Sequence, residues 1–330
     1  MRRREFIALL GSVASVWPLA ALAQQSDRVR RIGVLMVDAE SDPEGQSSAT
    51  ALRQGLEELG WVDGRNLRID YRWAAGQVAR VRAFAKELVD LQPDAIIARS
   101  TPAVSALLQE TRSLPIVFTT VSDPIGSGFV SRLSHPGGNI TGFTNFESSI
   151  GGKWLGLLKE IAPGVVRTAM MFNPEAAPYA QYYVGPFERA AHLFAVEPTT
   201  APVHDDADIE REIAALGKSN GGLIVLPDAF TTSPHREQII EQAARYRLPS
   251  IYPYRFIAAD GGLMSYGIDV PDLYRRAASY VDRIFRGAKP GDLPVQQPTK
   301  FELVINLRTA KALSLEVPLP LLIRVDQVIE

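Results

Sequence analysis

The sequence predicts an α/β protein built as two doubly wound parallel-sheet lobes. Three observations carry this. Strand and helix patterns alternate with short connections from residue 31 to residue 119. The alternation starts afresh after residue 148. Between the two runs lies the stretch 116–145, IVFTTVSDPIGSGFVSRLSHPGGNITGFTN, which opens as a buried strand and ends as a crossing segment. A polar strand end next to a crossing between two α/β halves suggests a cleft between two lobes.

The 330 residues suffice for one large or two ordinary domains. Hydrophobic content of 46% and charged content of 22% are those of a globular protein. The net charge is −2, and about −4 beyond the first five residues. No basic face for nucleic acid is implied. Without cysteine there is no disulfide, thiolate metal site, cysteine nucleophile or cysteine-linked lipid.

Residues 1–23 read as an export signal. Arg2, Arg3 and Arg4 form a cationic start, residues 6–22 are apolar, and Ala21-Leu22-Ala23 is a cleavage site. Arg3-Arg4-Glu5-Phe6-Ile7 looks like a twin-arginine signal. The mature chain is expected free in the periplasm, cleaved near Ala23 and without a lipid anchor.

In the first half, residues 31–37, 67–73, 95–98 and 116–119 read as strands, the first a near-continuous apolar run. Leu52, Leu56 and Leu59 recur at helical spacing before Gly60. Val78, Val81, Phe84, Ala85, Leu88 and Val89 predict a second helix, and Pro102 suits the first turn of a third. In such sheets ligands bind at the carboxyl ends of the strands. Three of these ends are rich in side-chain oxygen: Asp38 to Asp42, Ser100-Thr101, and Thr119 to Asp123. The helices that follow offer free N–H groups suited to an anion. Ser, Thr and Asp at such places also serve simply as helix caps.

In the second half, strands are expected at 168–172, 197–203, 222–226, 249–252 and 301–307. Helices are expected at 148–161, 179–195, 209–216, 237–246 and 270–286. Gly185-Pro186 is expected to interrupt or start the second of these. The strand ends carry Asn173, Asp228, Tyr252 and Tyr254, with Tyr179 shortly after the first. Residues 287–299 form a Pro/Gly-rich connector.

The nucleotide-binding and hydrolase motifs are missing, with no G-x-G-x-x-G after the first strand, no Walker loop and no G-x-S-x-G elbow. The four histidines lack the i, i+4 pairing of a metal-binding helix. Asp205-Asp206-Ala207-Asp208 reads as a helix cap rather than a calcium loop. Neither cofactor nor metal is expected, and a hydrolase or isomerase on this scaffold is the weaker alternative.

The chain resembles the exported ABC-transporter substrate-binding proteins related to the tryptophan/aromatic amino-acid binding group, of type I periplasmic binding protein fold. The residues that carry the resemblance are Asp123-Pro124 with the following glycines, Pro136 to Gly142, Gly262 to Gly267, Leu293 to Phe301 and the tail Arg324 to Glu330. The resemblance implies a three-segment hinge near Asn145, at 267–270 and at 290–298. Residues 28–145 plus 268–290 then form lobe one, and 146–267 plus 291–330 form lobe two. It implies hinge closure on a small organic solute, delivery to an ABC permease with a cytoplasmic ATPase, membrane contact only through that permease, and a monomer. A ligand-sensing module for a membrane receptor is the alternative.

By the same resemblance, Ser100, Thr101 and Ser122 hold a ligand carboxylate and Asp228 meets its ammonium. Asp228→Ala is therefore expected to weaken binding without unfolding the protein. Asp38, Asp123, Asn173, Tyr179, Tyr252 and Tyr254 complete the expected lining. The segment Asn173-Pro174-Glu175-Ala176-Ala177-Pro178-Tyr179 departs from the pattern by losing small polar groups. This leaves an amino acid and another aromatic or small organic solute both open as ligand.

Overall fold

A computed structural model describes residues 28–330; the expected export signal lies outside them. The first sheet has five parallel strands in the order β2-β1-β3-β4-β5. These are β1 (Arg30–Met36), β2 (Leu67–Trp73), β3 (Ala95–Arg99), β4 (Ile116–Val121) and β5 (Ile140–Thr144). Helix α1 (Pro43–Glu58) lies on one face, and α2 (Val78–Asp90) and α3 (Thr101–Glu110) lie on the other. Strand β1 shows why the run is apolar throughout. Ile32, Val34 and Met36 enter the core on the α1 face, while Leu35 enters the core on the α2/α3 face.

The second sheet has seven strands in the order β12-β11-β10-β9-β8-β6-β7. They are β6 (Arg167–Phe172), β7 (Glu197–Pro202), β8 (Gly221–Val225), β9 (Ser250–Tyr252), β10 (Met264–Gly267), β11 (Glu302–Asn306) and β12 (Gln327–Ile329). One detail departs from a purely parallel reading: β11 runs antiparallel to β10. It returns late, from the first lobe, and enters the sheet from the opposite end. Helices α4 (Ile150–Ile161), α5 (Gln181–Leu193), α6 (Asp206–Gly217), α7 (Ala229–Thr232), α8 (Arg236–Arg245) and α9 (Arg255–Ala259) belong to this half.

Gly185-Pro186 does not break α5, which runs through both residues. Pro186 sacrifices one backbone bond, and the buried face of Tyr183, Val184, Phe187 and Ala191 holds the helix in place. Asp205 caps α6 by accepting the Asp208 N–H at 2.9 Å.

The long helix α10 (Val270–Phe285) follows β10 yet packs on the first lobe. It approaches α1 so closely that a Cβ on Gly55 would lie 3.0 Å from the Ala278 methyl carbon. The connector after it stays with the first lobe further than expected. Leu293 O accepts from Thr141 Oγ1 at 2.7 Å, Val295 N donates to Leu133 O at 2.7 Å, and Thr144 N donates to Gln296 O at 2.9 Å. Hydrogen bonds to the first lobe thus continue along the connector as far as Gln296. Short α11 (Leu307–Ala312), α12 (Leu319–Leu322) and β12 then close the second lobe.

Candidate functional site

The carboxyl ends of the first sheet's strands face the second lobe, and a cluster of buried polar groups lies between them. Arg99 ends β3 and is 6% exposed. Its Nε lies 3.1 Å from Asp38 Oδ2, and its Nη1 donates to Ser48 Oγ at 3.4 Å. Burial opposes the Arg99 charge, but Asp38, Tyr274, Tyr254 and Glu44 around it raise its pKa above the ordinary arginine value. Burial likewise pushes the Asp38 and Glu44 carboxyls up, with Arg99 pulling both down. Tyr254 from the second lobe lies beside Arg99, Asn145, Asp38 and Asp228, and burial lifts its hydroxyl to about 12.

Four buried polar atoms in this cluster have no hydrogen-bond partner among the described residues: Asp38 Oδ2, Ser100 Oγ, Thr119 Oγ1 and Asn145 Nδ2. An unsatisfied buried polar atom costs about 1–3 kcal/mol, so such a concentration calls for an explanation. All four leave strand ends of the first lobe: β1, β3, β4 and β5.

The backbone here is strained in a way that aims these groups. Ser100 (φ 81°) and Thr120 (φ 53°) occupy left-handed conformations unfavourable for side chains. In β4, Thr119 and Thr120 together oppose the single residue Phe143, because Phe118 pairs Gly142 and Val121 pairs Thr144. This bulge brings Val121 into the same core as Phe118, and it bends β4 where the cleft begins. Ser100 makes no side-chain cap to α3, so its hydroxyl is not spent on the helix it precedes.

Asn145, where the chain leaves β5, links the lobes. Its Oδ1 accepts from Ser122 Oγ (3.1 Å) and Phe146 N (2.7 Å), and the single Tyr183 hydroxyl proton faces Ser122 Oγ at 2.8 Å with Asn145 Oδ1 at 3.2 Å beside it. Behind this node runs a string of rings from the second lobe. Phe146 meets Trp154 at 5.4 Å and Tyr254 at 6.0 Å, Trp154 meets Tyr183 at 6.0 Å, and Tyr183 meets Tyr179 at 6.1 Å. A groove of about 540 Å³ opens alongside, between Thr101, Pro102 and Asp123 of the first lobe and Glu175, Tyr179 and Tyr182 of the second.

The expected lining residues fall into three groups. Asp38, Ser100 and Tyr254 lie in the polar cluster. Thr101, Ser122, Asp123 and Tyr179 lie at the interlobe face and Asn173 lies buried within the second lobe, all with their polar groups engaged. Thr101 Oγ1 bonds both N and O of Ser122 at 3.3 Å. Asp123 caps its own turn through Gly126 N at 2.8 Å. Asn173 Oδ1 accepts from Ala176 N at 2.8 Å, and Tyr179 OH donates to Pro227 O at 2.8 Å.

Two further expected lining residues have their polar groups engaged within the second lobe. Asp228 is not a free carboxylate awaiting an ammonium. Oδ1 accepts from Phe230 N and Thr231 N, both at 2.9 Å, and Oδ2 accepts from Thr231 Oγ1 at 2.9 Å and Asn173 N at 3.3 Å. It is the cap of α7 and the tie between two loops. Tyr252 turns into the second lobe's core, where its hydroxyl accepts from Ser250 Oγ at 3.1 Å and its ring covers Gly262.

Sequence reading passed over Arg99 as a site residue, took Asn145 only as a crossing, and named Thr119 only within the polar strand end 119–123. Arg99 carried a signal: a charged residue directly after an apolar strand core, with Ser-Thr-Pro following. The lobes also meet at the rim, where Asp42 Oδ2 accepts from Arg236 Nη1 at 2.6 Å and from Ser233 Oγ at 3.3 Å.

Comparisons with known proteins agree with this architecture. A crystal structure of a conserved domain protein from Vibrio cholerae superposes with a TM-score of 0.85 at 28% identity, covering 91% of this chain and 100% of that one. An ABC domain in complex with L-Trp from Streptococcus pneumoniae superposes at 0.82, with 25% identity over 91% of this chain and 99% of that one. The ligand-free, open structure of a substrate binding protein with adhesive properties from Clostridium difficile reaches 0.67, at the same 25% identity and with the same coverage of both chains. A tyrosine-binding protein of Clostridioides difficile is 27% identical over 263 residues, 80% of this chain and 75% of the relative. The fold is that of the type I periplasmic binding proteins. Residues 37–329 match the family described as ABC transporter substrate binding protein. A match over nearly the whole described chain places it among binding proteins rather than enzymes, and the protein belongs to the ABC transporter substrate-binding protein family.

Proposed function

We propose that the protein is the periplasmic solute-binding component of an ABC importer and that its lobes close on an aromatic amino acid. The observation that carries this reading is the set of unpartnered polar atoms on Asp38, Ser100, Thr119 and Asn145, with Tyr254 of the second lobe's ring string beside Asp38 and Asn145. Polar atoms at one end and rings at the other suit a ligand with a charged head and an apolar body. The amino-terminal end of α3 adds a partial positive charge beside Ser100, which suits the carboxylate. Thr101 and Ser122 shape that corner through their mutual bonds, Asp123 and Tyr179 form the cleft wall, and Asn173 holds the loop behind it. The relatives that bind tyrosine and tryptophan support the same ligand class.

Closure pivots on the three crossings: after β5, between β10 and α10, and beyond Gln296. Ligand contacts to both lobes favour the closed arrangement over the open one. The closed form then docks on a membrane permease. The export signal of residues 1–23 delivers the chain to that compartment.

A thermal-shift screen of the chain from Gln24 onward against amino acids, aromatic acids and sugars tests this. A ligand at a hundred times its Kd stabilises by about 2.7 kcal/mol, so L-tyrosine or L-tryptophan raises the melting temperature measurably. A shift with sugars alone would refute the amino-acid reading.

A further inference from the structure

The geometry points to Asp38, on the first lobe, as the group that takes the ligand's ammonium, so that the first lobe alone reads both charges of an α-amino acid. This rests on the amino-acid reading and deepens it.

Three observations lead there. The second lobe's acid is spent: four donors from its own lobe occupy both oxygens of Asp228. Asp38 is 4% exposed, and its Oδ2 has no well-directed hydrogen bond even though Arg99 Nε lies 3.1 Å away. An ammonium donates three hydrogen bonds and is suited to an oxygen so placed. The surroundings favour a cation as well, because three acids, Asp38, Asp42 and Glu44, lie around two arginines, Arg99 and Arg236.

Spacing fits the ligand. Strands β1 and β3 are hydrogen-bonded neighbours, with Leu35 opposite Ala98. Asp38 and Ser100 leave their ends, and neighbouring strands lie about 4.8 Å apart. An ammonium nitrogen and a carboxylate oxygen on one carbon lie about 3 Å apart, so with a hydrogen bond of about 2.8 Å at each end they reach side chains on two neighbouring strands. The carboxylate then meets Ser100 Oγ, Thr119 Oγ1 and Asn145 Nδ2, which otherwise lack partners. Arg99 acts as a positioning residue that orients Asp38 and is itself held by Ser48. The second lobe is left to read the side chain with Tyr254, Phe146 and Tyr179. A consequence is an order of events: the amino acid seats on the first lobe, and the second closes over it.

Calorimetry with wild type, Asp38→Asn and Asp228→Asn tests this, using L-tyrosine, L-tryptophan and their analogues lacking the α-amino group. The wild type is expected to prefer each amino acid over its analogue by about thirtyfold, the scale of one charge-assisted bond. Asp38→Asn is expected to shrink that ratio to within about threefold, while Asp228→Asn keeps it. Equal wild-type binding of amino acid and analogue, or an unchanged ratio in Asp38→Asn, overturns the assignment. Should Asp38→Asn not fold, Asp228→Asn decides: a retained ratio supports Asp38, and a collapsed one overturns it. A wild type that binds amino acids of no kind overturns the amino-acid reading itself, and the assignment with it.

Discussion

Asp42 of the first lobe and Arg236 of the second meet at 2.6 Å across the mouth of the cleft. The carboxylate does two tasks at once. It caps α1 through Glu44 N at 2.9 Å and Gly45 N at 3.3 Å, and it holds Arg236, which also bonds Asp260 at 2.9 Å. Both side chains are largely buried, at 7% exposure for Asp42 and 12% for Arg236. The pair is a clasp between the two lobes.

Arg236→Ala is expected to shift the population toward the open form and weaken ligand binding by about tenfold, through faster release. Stopped-flow dissociation reads this directly. An unchanged release rate would show that the clasp contributes nothing to closure.

Under the closure proposed above, the same clasp is expected to give closure a pH dependence. Burial pushes the Asp42 carboxyl up, but Arg236 and the N–H groups of Gly45 and Glu44 outweigh it, so the folded value lies below the ordinary one. The contribution is fully present above the ordinary carboxylate value near 3.9 and is lost as pH falls through the lowered one. Closure measured by scattering is expected to hold from pH 7 to about 4 and weaken below that.

Asp228 behaves in the opposite sense. Burial lifts it to about 6, against the pull of Thr231, Asn173 and Phe230. Between about 4 and 6 the unfolded chain releases this proton first, so the contribution of Asp228 makes stability fall as pH rises and level off above 6, by up to about 3 kcal/mol. Asp228→Ala removes a cap and strands buried donors, and is expected to cost about 2–4 kcal/mol. Urea unfolding from pH 4 to 7 checks both. A variant as stable as wild type would show that these four bonds are not structural.

Gly267 sits at the second crossing, where a Cβ would run into the Pro253 carbonyl. Gly267→Ala is expected to cost about 1–3 kcal/mol by forcing the crossing apart. A thermal melt of the variant suffices, and an unshifted midpoint would refute the close approach.

The fold was readable because it depends on local patterns. The apolar run at β1 and the spacing of Leu52 and Leu56 do not need distant information. The lobe assignment of α10 was readable only through resemblance, since nothing local says that it packs on α1. The site was half readable. Asp38 and Ser100 announce themselves as oxygen at strand ends, but the same signal marks Asp228, whose four donors come from chain neighbours and from Asn173. Whether an oxygen is free or spent depends on such three-dimensional partners. The bulge at Thr119-Thr120 is equally silent in sequence, because it exists only in the register of β4 against β5.

The central claim is that the two lobes close on an amino acid seated at the strand ends of the first. Small-angle scattering during titration with L-tyrosine or L-tryptophan tests it most directly. The account predicts a saturable decrease in the radius of gyration at one ligand per chain, lost in Ser100→Val. Binding with no compaction, or compaction unaffected by Ser100→Val, would contradict it.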